Sequence, residues 1–108
     1  MEFSPDGADF ALSSGAVIEI FDVASGKVMA QLKGHTEDVV RIAFDPRGKL
    51  LASSSKDRFV RIWDLVTGET LHQLEARVRD VTALDFSPDG QWLAFGAGAD
   101  IEIWTRNG

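Results

Sequence analysis

Cysteine is absent from these 108 residues, histidine occurs twice and proline three times. Without cysteine there is no disulfide, no thiolate zinc site and no cysteine nucleophile. That usage fits a reducing compartment, so a cytoplasmic location is the expectation. Two histidines and no thiol are a poor donor set for a transition metal. No apolar run approaches the ~20 residues that cross a bilayer, and the chain does not open on the basic, apolar, small-residue succession of a secretory signal. Positive charge is in deficit, with 11 Lys and Arg against 17 Asp and Glu and a formal net charge of -6. Binding to nucleic acid or to an acidic membrane rests on neutralising phosphates, so neither is expected as a partner. What is present, 44% apolar and 26% charged residues, is the composition of a soluble globular domain.

The chain repeats itself. "FSPDG" at Phe3 to Gly7 returns at Phe86 to Gly90, and "FDPRG" stands between them at Phe44 to Gly48, at spacings of 41 and 42 residues. "IEIFD" ends at Asp22, "VRIWD" at Asp64 and "IEIWT" at Thr105. "SGK" at Ser25 answers "TGE" at Thr67, and "DVV" at Asp38 answers "DVT" at Asp80. Several landmarks holding one period mark a repeat architecture. Residues 3–22 and 86–105 agree at 11 of 20 positions, so the outer copies resemble each other more than either resembles the middle one. Both are one residue shorter than the middle copy between the Pro-Gly turn and the aromatic.

Each unit reads as four short strands. In the middle copy Val39 to Asp45 is apolar and branched, Pro46-Arg47-Gly48 turns the chain, and Leu50 to Ser55 is a second strand. Lys56-Asp57-Arg58 is a tight polar turn, Phe59 to Leu65 a third strand, and Glu69 to Glu75 a fourth, more polar and therefore outermost. No segment has helical spacing. The third strand carries Val60, Ile62 and Trp63, so both faces of its sheet are apolar and need neighbouring sheets to cover them. The second strands are rich in Ala, Ser and Gly, which suits the narrow part of converging sheets.

These residues resemble WD40 repeats, the blades of β-propellers. The middle unit carries Gly34-His35, Asp38, the "FDPRG" turn, "LLASSS", Asp57 and Ile62-Trp63-Asp64. The resemblance implies an all-β fold of antiparallel four-stranded blades, about two and a half of them. Blade 1 would span about 1–34, blade 2 about 35–76, and blade 3, lacking its last strand, about 77–108. It also implies a hydrogen-bonded set stiffening the middle blade: His35, the second-strand hydroxyl of Ser53, the turn acid Asp57 and Trp63. Ser55 shares the strand parity of Ser53 and competes for that role. The first unit has Phe21 for the Trp and Gly15 or Ala16 for the acid, and the third has Gly98 or Ala99 for the acid. Ala76-Arg77 replaces Gly-His before the third unit. Only the middle blade is therefore expected to build the full set.

Other chemical readings are weaker than structural ones. His35, Asp57 and Ser53 together look like a nucleophilic triad, but they occupy repeat positions and nothing supplies an oxyanion hole. Asp6, Asp45 and Asp89 stand at or beside the Pro turns, and turn formation explains them better than calcium does. Proline in Ser4-Pro5 and Ser87-Pro88 serves the turn rather than a phosphorylation site. His72 reads as a solvated residue on an outer strand. No phosphate-cradling loop is present, so no cofactor is expected. The cations Lys56, Arg58, Arg77 and Arg79 fall in loops that share one rim in this family, and form a candidate patch for an acidic peptide or phosphopeptide; solubilising charge is the plainer reading. The expected function is a non-catalytic protein-interaction scaffold, a piece of a longer propeller. The alternatives are a cassette that completes a propeller by homo-oligomerisation and, least favoured, part of a propeller enzyme.

Overall fold

The computed structural model describes residues 2–76 and 81–106, all of it strand and turn. Three antiparallel sheets follow one another along the chain. The first is β1 (Glu2–Phe3), β2 (Asp9–Ser14), β3 (Val17–Asp22) and β4 (Val28–Leu32). The second is β5 (Val39–Phe44), β6 (Leu50–Ser55), β7 (Phe59–Asp64) and β8 (Thr70–Glu75). The third has β9 (Ala83–Phe86), β10 (Trp92–Ala97) and β11 (Asp100–Thr105). Sequential strands are neighbours throughout, so each sheet is a meander. The architecture is an open stack of propeller blades.

Strand ends differ slightly from the sequence expectation, and hydrogen bonds explain why. The middle first strand stops at Phe44, because the Asp45 amide closes the turn onto the Leu50 carbonyl at 2.9 Å. The third stops at Asp64, whose carboxylate accepts from the Val66 amide at 2.8 Å and bends the chain away from Leu65. The fourth begins at Thr70, because Glu69 still serves the turn through its carbonyl on the Asp64 amide.

The core lies between sheets rather than within one. Alternation along each strand sends one set of side chains forward and the other back. Ile18, Ile20, Ala11 and Leu32 of the first blade pack on Leu51 and Trp63 of the second. Val60, Ile62, Ala43 and Ala52 of the second pack on Phe86, Leu93 and Phe95 of the third. The middle blade is covered on both faces, and from Leu51 to Ser55 every residue of β6 is buried. Small side chains at Ala52, Ser53 and Ser54 let the flanking sheets approach. β2 and β10 are covered on one face only and alternate between buried and open positions. Trp92, which aligns with Leu50 at the start of its strand, is 50% exposed.

The Pro turns are built in two ways. In the outer copies the Ser hydroxyl donates to the Asp carboxylate two residues on, Ser4 to Asp6 at 2.8 Å and Ser87 to Asp89 at 2.6 Å. The Ala8 amide and the Ser4 hydroxyl hold the Asp6 carboxyl below its usual range, and the Ser87 hydroxyl with the Gln91 amide does the same for Asp89. Turn formation does not explain Asp45. It occupies the place of those serines, is wholly buried, and faces across the blade boundary to Arg106 Nη2 at 3.1 Å. The atoms are out of line for a hydrogen bond, so the tie is coulombic. A turn role fails here because Arg47 replaces the Asp partner that the serines use.

Removing one member of a buried ion pair strands the other. Arg106→Ala is expected to cost about 3 kcal/mol of stability by leaving the Asp45 carboxylate without a cation. Asp45→Ser in that background, which restores the residue of the other copies, is expected to recover most of the loss in urea titrations. Equal losses in the single and double variants would refute this pairing.

Candidate functional site

The turn joining β6 to β7 is held by hydrogen bonds from both sides. Its three loop residues, Lys56-Asp57-Arg58, follow a reverse turn closed by the Arg58 amide on the Ser55 carbonyl at 3.2 Å. Arg58 takes a left-handed conformation with φ of 73°, the geometry of a three-residue hairpin. The outer hairpins are one residue shorter for a physical reason. Gly15-Ala16 and Gly98-Ala99 are two-residue loops whose leading glycines have φ of 60° and 59°. Such a loop fits a turn with glycine at the first corner and has no middle position for an acid.

Asp57 occupies that middle position. Its Oδ1 accepts from the Phe59 amide at 2.9 Å, and its Oδ2 from the Thr36 amide at 3.0 Å. His35 Nδ1 lies 2.9 Å from the same Oδ2, and His35 Nε2 lies 2.7 Å from Ser53 Oγ. Trp63 Nε1 donates to Ser53 Oγ at 2.8 Å. The carboxylate can only accept, so Nδ1 carries the proton, Nε2 accepts from the Ser53 hydroxyl, and Ser53 in turn accepts from the indole. The structure thus brings His35 of the loop after β4, Ser53 of β6, Asp57 of the following turn and Trp63 of β7 into one continuous chain. Ser55 does a different job: its hydroxyl donates to the Glu37 carbonyl at 2.8 Å and accepts from the Asp57 amide at 3.1 Å. That holds the turn from its other side.

Burial opposes charge on His35 more than Asp57 favours it, with Arg61 nearby adding to the opposition, so the imidazole pKa lies below its usual value. Burial also works against the Asp57 carboxylate, but donors from Phe59, His35 and Thr36 outweigh it and keep that carboxyl below the usual range. The His–Asp–Ser distances are those of a triad, yet Ser53 has no exposed surface and its oxygen already receives the Trp63 N–H. A substrate cannot reach it. Among the described residues no group of three potential ligands gathers to hold a metal ion.

The candidate rim is divided. Lys56 and Arg58 are exposed on either side of Asp57, while Arg77 and Arg79 lie outside the described residues. His72 is exposed on β8, but its ring also stands 5.2 Å from that of Trp104 in the next blade. Arg61, which sequence reasoning passed over, donates to Thr70 Oγ1 at 3.0 Å and lies 5.7 Å from the Trp63 ring centre, closing the outer side of the chain of hydrogen bonds. Its one signal was a cation where the other copies have Glu19 and Glu102.

The sequence model described as "WD domain, G-beta repeat" matches residues 26–64 and 68–105. Each match runs from the turn before an outer strand through the inner three strands of the following sheet, so the sequence unit straddles the structural one. The chain is 36% identical over 58 residues to the Intraflagellar transport protein 122 homolog of Homo sapiens, covering 54% of this chain and 5% of that protein. It is 33% identical over 63 residues to the Pre-mRNA-processing factor 19 of Bos taurus, covering 56% of this chain and 12% of that protein. The chain therefore spans a small part of the length of these relatives.

His35 sets a pH signature. Its folded pKa is depressed, so its contribution is complete above the ordinary imidazole value of about 6.5 and is lost below it, where the unfolded chain takes up a proton that the folded chain refuses. Stability is expected to fall as pH drops from 6.5 to 5, with a slope bounded by about 1.4 kcal/mol per pH unit for one proton. His35→Gln is expected to flatten that slope. Urea titrations showing the same slope in both proteins would contradict the assignment.

Proposed function

We propose, for a chain that belongs to the WD40 family of β-propeller repeats, that it acts as a non-catalytic scaffold for protein–protein interaction, presenting a rigid hairpin tip to an acidic peptide segment of its partner. The observation that carries this reading is the anchoring of Asp57. Four groups fix that side chain or its amide, from Phe59, Thr36, His35 and Ser55, while its two neighbours point cations into solvent. A tip already ordered loses little conformational freedom on binding, and preorganisation of that kind raises affinity. Lys56 and Arg58 are two exposed cations on a protein of net charge -6, suited to meeting carboxylates of a partner.

The burial of Ser53 supports the non-catalytic part, because the triad-like arrangement it belongs to is sealed. The relatives are a protein of intraflagellar transport and one of pre-mRNA processing by their names, and we take from them only that such repeats serve in proteins with other parts. Arg77 and Arg79 belong to the same proposed rim on sequence grounds.

The test uses a fluorescent glutamate-rich peptide as probe, followed by anisotropy. Lys56→Gln with Arg58→Asn removes both charges without straining the left-handed position, since Asn tolerates it. Binding that falls with salt and weakens about tenfold in the double variant, equivalent to about 1.4 kcal/mol, is the expected result. Binding unchanged by the substitutions would refute the rim.

A further inference from the structure

At the end of β6 and β7 away from the hairpin tip, the second and third blades enclose a crevice of about 440 Å³. Its apolar walls are Leu50, Val66 and Leu71 of the second blade and Trp104 of the third. A crevice of about 480 Å³ stands in the same place between the first and second blades, where both sheets have four strands. The hollow is therefore a product of stacking. The two crevices differ in chemistry. Asp9 and Leu65 line the first at the positions where Leu50 and Arg106 line the second.

Arg106 is the unusual member. Its side chain is 21% exposed, its Nη2 is buried without a hydrogen-bond partner, and among the described residues nothing accepts from the rest of the group. A guanidinium carries five N–H donors, and leaving buried donors unmade is costly. The wholly buried Asp45 carboxylate holds it in place by charge alone. The other carboxylate of the lining, Asp64, is taken up by the Val66 and Thr67 amides of its own turn. Two exposed cations join Arg106 along the crevice. Lys49 forms no ion pair among the described residues, and Arg47 lies in the field of Asp89.

We propose that this crevice is a second recognition site, and that it takes a peptide segment of a partner in which a bulky apolar side chain stands beside a carboxylate. The apolar side chain enters between Leu71 and Trp104. The carboxylate accepts from Arg106, whose planar fork matches it, and Lys49 and Arg47 add charge at the mouth. The volume falls within the roughly 300–1,000 Å³ of sites that enclose a ligand. A peptide fits better than a small free acid because the apolar surface runs on beyond the crevice. Leu71 is 48% exposed and Val66 82%. Leu71 lies on β8, the outer strand of its sheet, whose free edge offers backbone pairing to an extended segment. Lys56 and Arg58 stand at the opposite end of the same strands, so this site is independent of the hairpin tip.

Anisotropy of a fluorescein-labelled peptide with the core Gly-Phe-Glu-Glu-Gly tests this. The measurements are made in the Lys56→Gln, Arg58→Asn background, which removes the tip cations and leaves the crevice intact. Arg106 is kept, because its loss destabilises the fold. Leu71→Asp and Lys49→Glu alter exposed residues, and each is expected to weaken binding about tenfold. Exchanging the Phe of the peptide for Ser, or both Glu for Gln, is expected to do the same. The Trp104 indole N–H resonance is expected to shift on titration, while that of Trp63, which packs at the first boundary, stays in place. No binding at millimolar peptide, binding indifferent to Leu71→Asp, or a Trp104 resonance that does not move would overturn the proposal. Displacement by free phenylacetate at the same concentration as by unlabelled peptide would overturn the peptide as occupant.

Discussion

A strand that is apolar on both sides constrains everything else in this protein. Val60 and Ile62 point one way and Trp63 the other, and a lone sheet can bury only one of those sets. The solution is stacking. Each sheet covers the forward face of the one before it, and each boundary holds its own core. Burial therefore rises toward the middle of the stack. β6 is enclosed on both sides, β2 and β10 on one, and the third strand of the last blade leaves its isoleucines open.

Polar groups follow the same gradient. The one blade with two covered faces is also the one with a buried His–Ser–Trp chain and a buried Asp. A buried indole N–H needs an acceptor, and the small serine that provides it also fits the narrow space where sheets converge. From there the hydrogen bonds run outward through His35 to Asp57 and so to the hairpin tip. The interior of the middle blade and the order of its surface loop are thus one structure. The Asp45–Arg106 pair adds a tie across the second boundary, at a position where the first boundary has Ser4 and Leu65.

Features that repeat were readable in the sequence. The Pro turns, the Ile-Trp-Asp ends and the small-residue second strands announced blades because their spacing recurs. His35, Ser53, Asp57 and Trp63 could be named only through the resemblance to WD40 repeats, since the other copies lack the His and the turn acid, and Ser53 and Ser55, which lie on one side of the strand, were told apart only by their hydrogen bonds. What did not repeat was misread or missed. Asp45 looked like a turn former because its neighbours in sequence are turn residues, while its partner lies sixty-one positions away in another blade. The shorter outer hairpins were visible as a missing residue, but only the backbone showed that glycine at the first corner removes the place for an acid.

Hydrogen exchange followed residue by residue tests most directly whether stacking holds the fold. Amide protection reports local opening and so maps where stability resides. If covered faces are what stabilise a blade, the amides of β6 and β7 exchange slowest, those of β2 and β10 faster, and those of β1 and β11 fastest. Protection that is uniform across the three sheets, or greatest in β10, would contradict it.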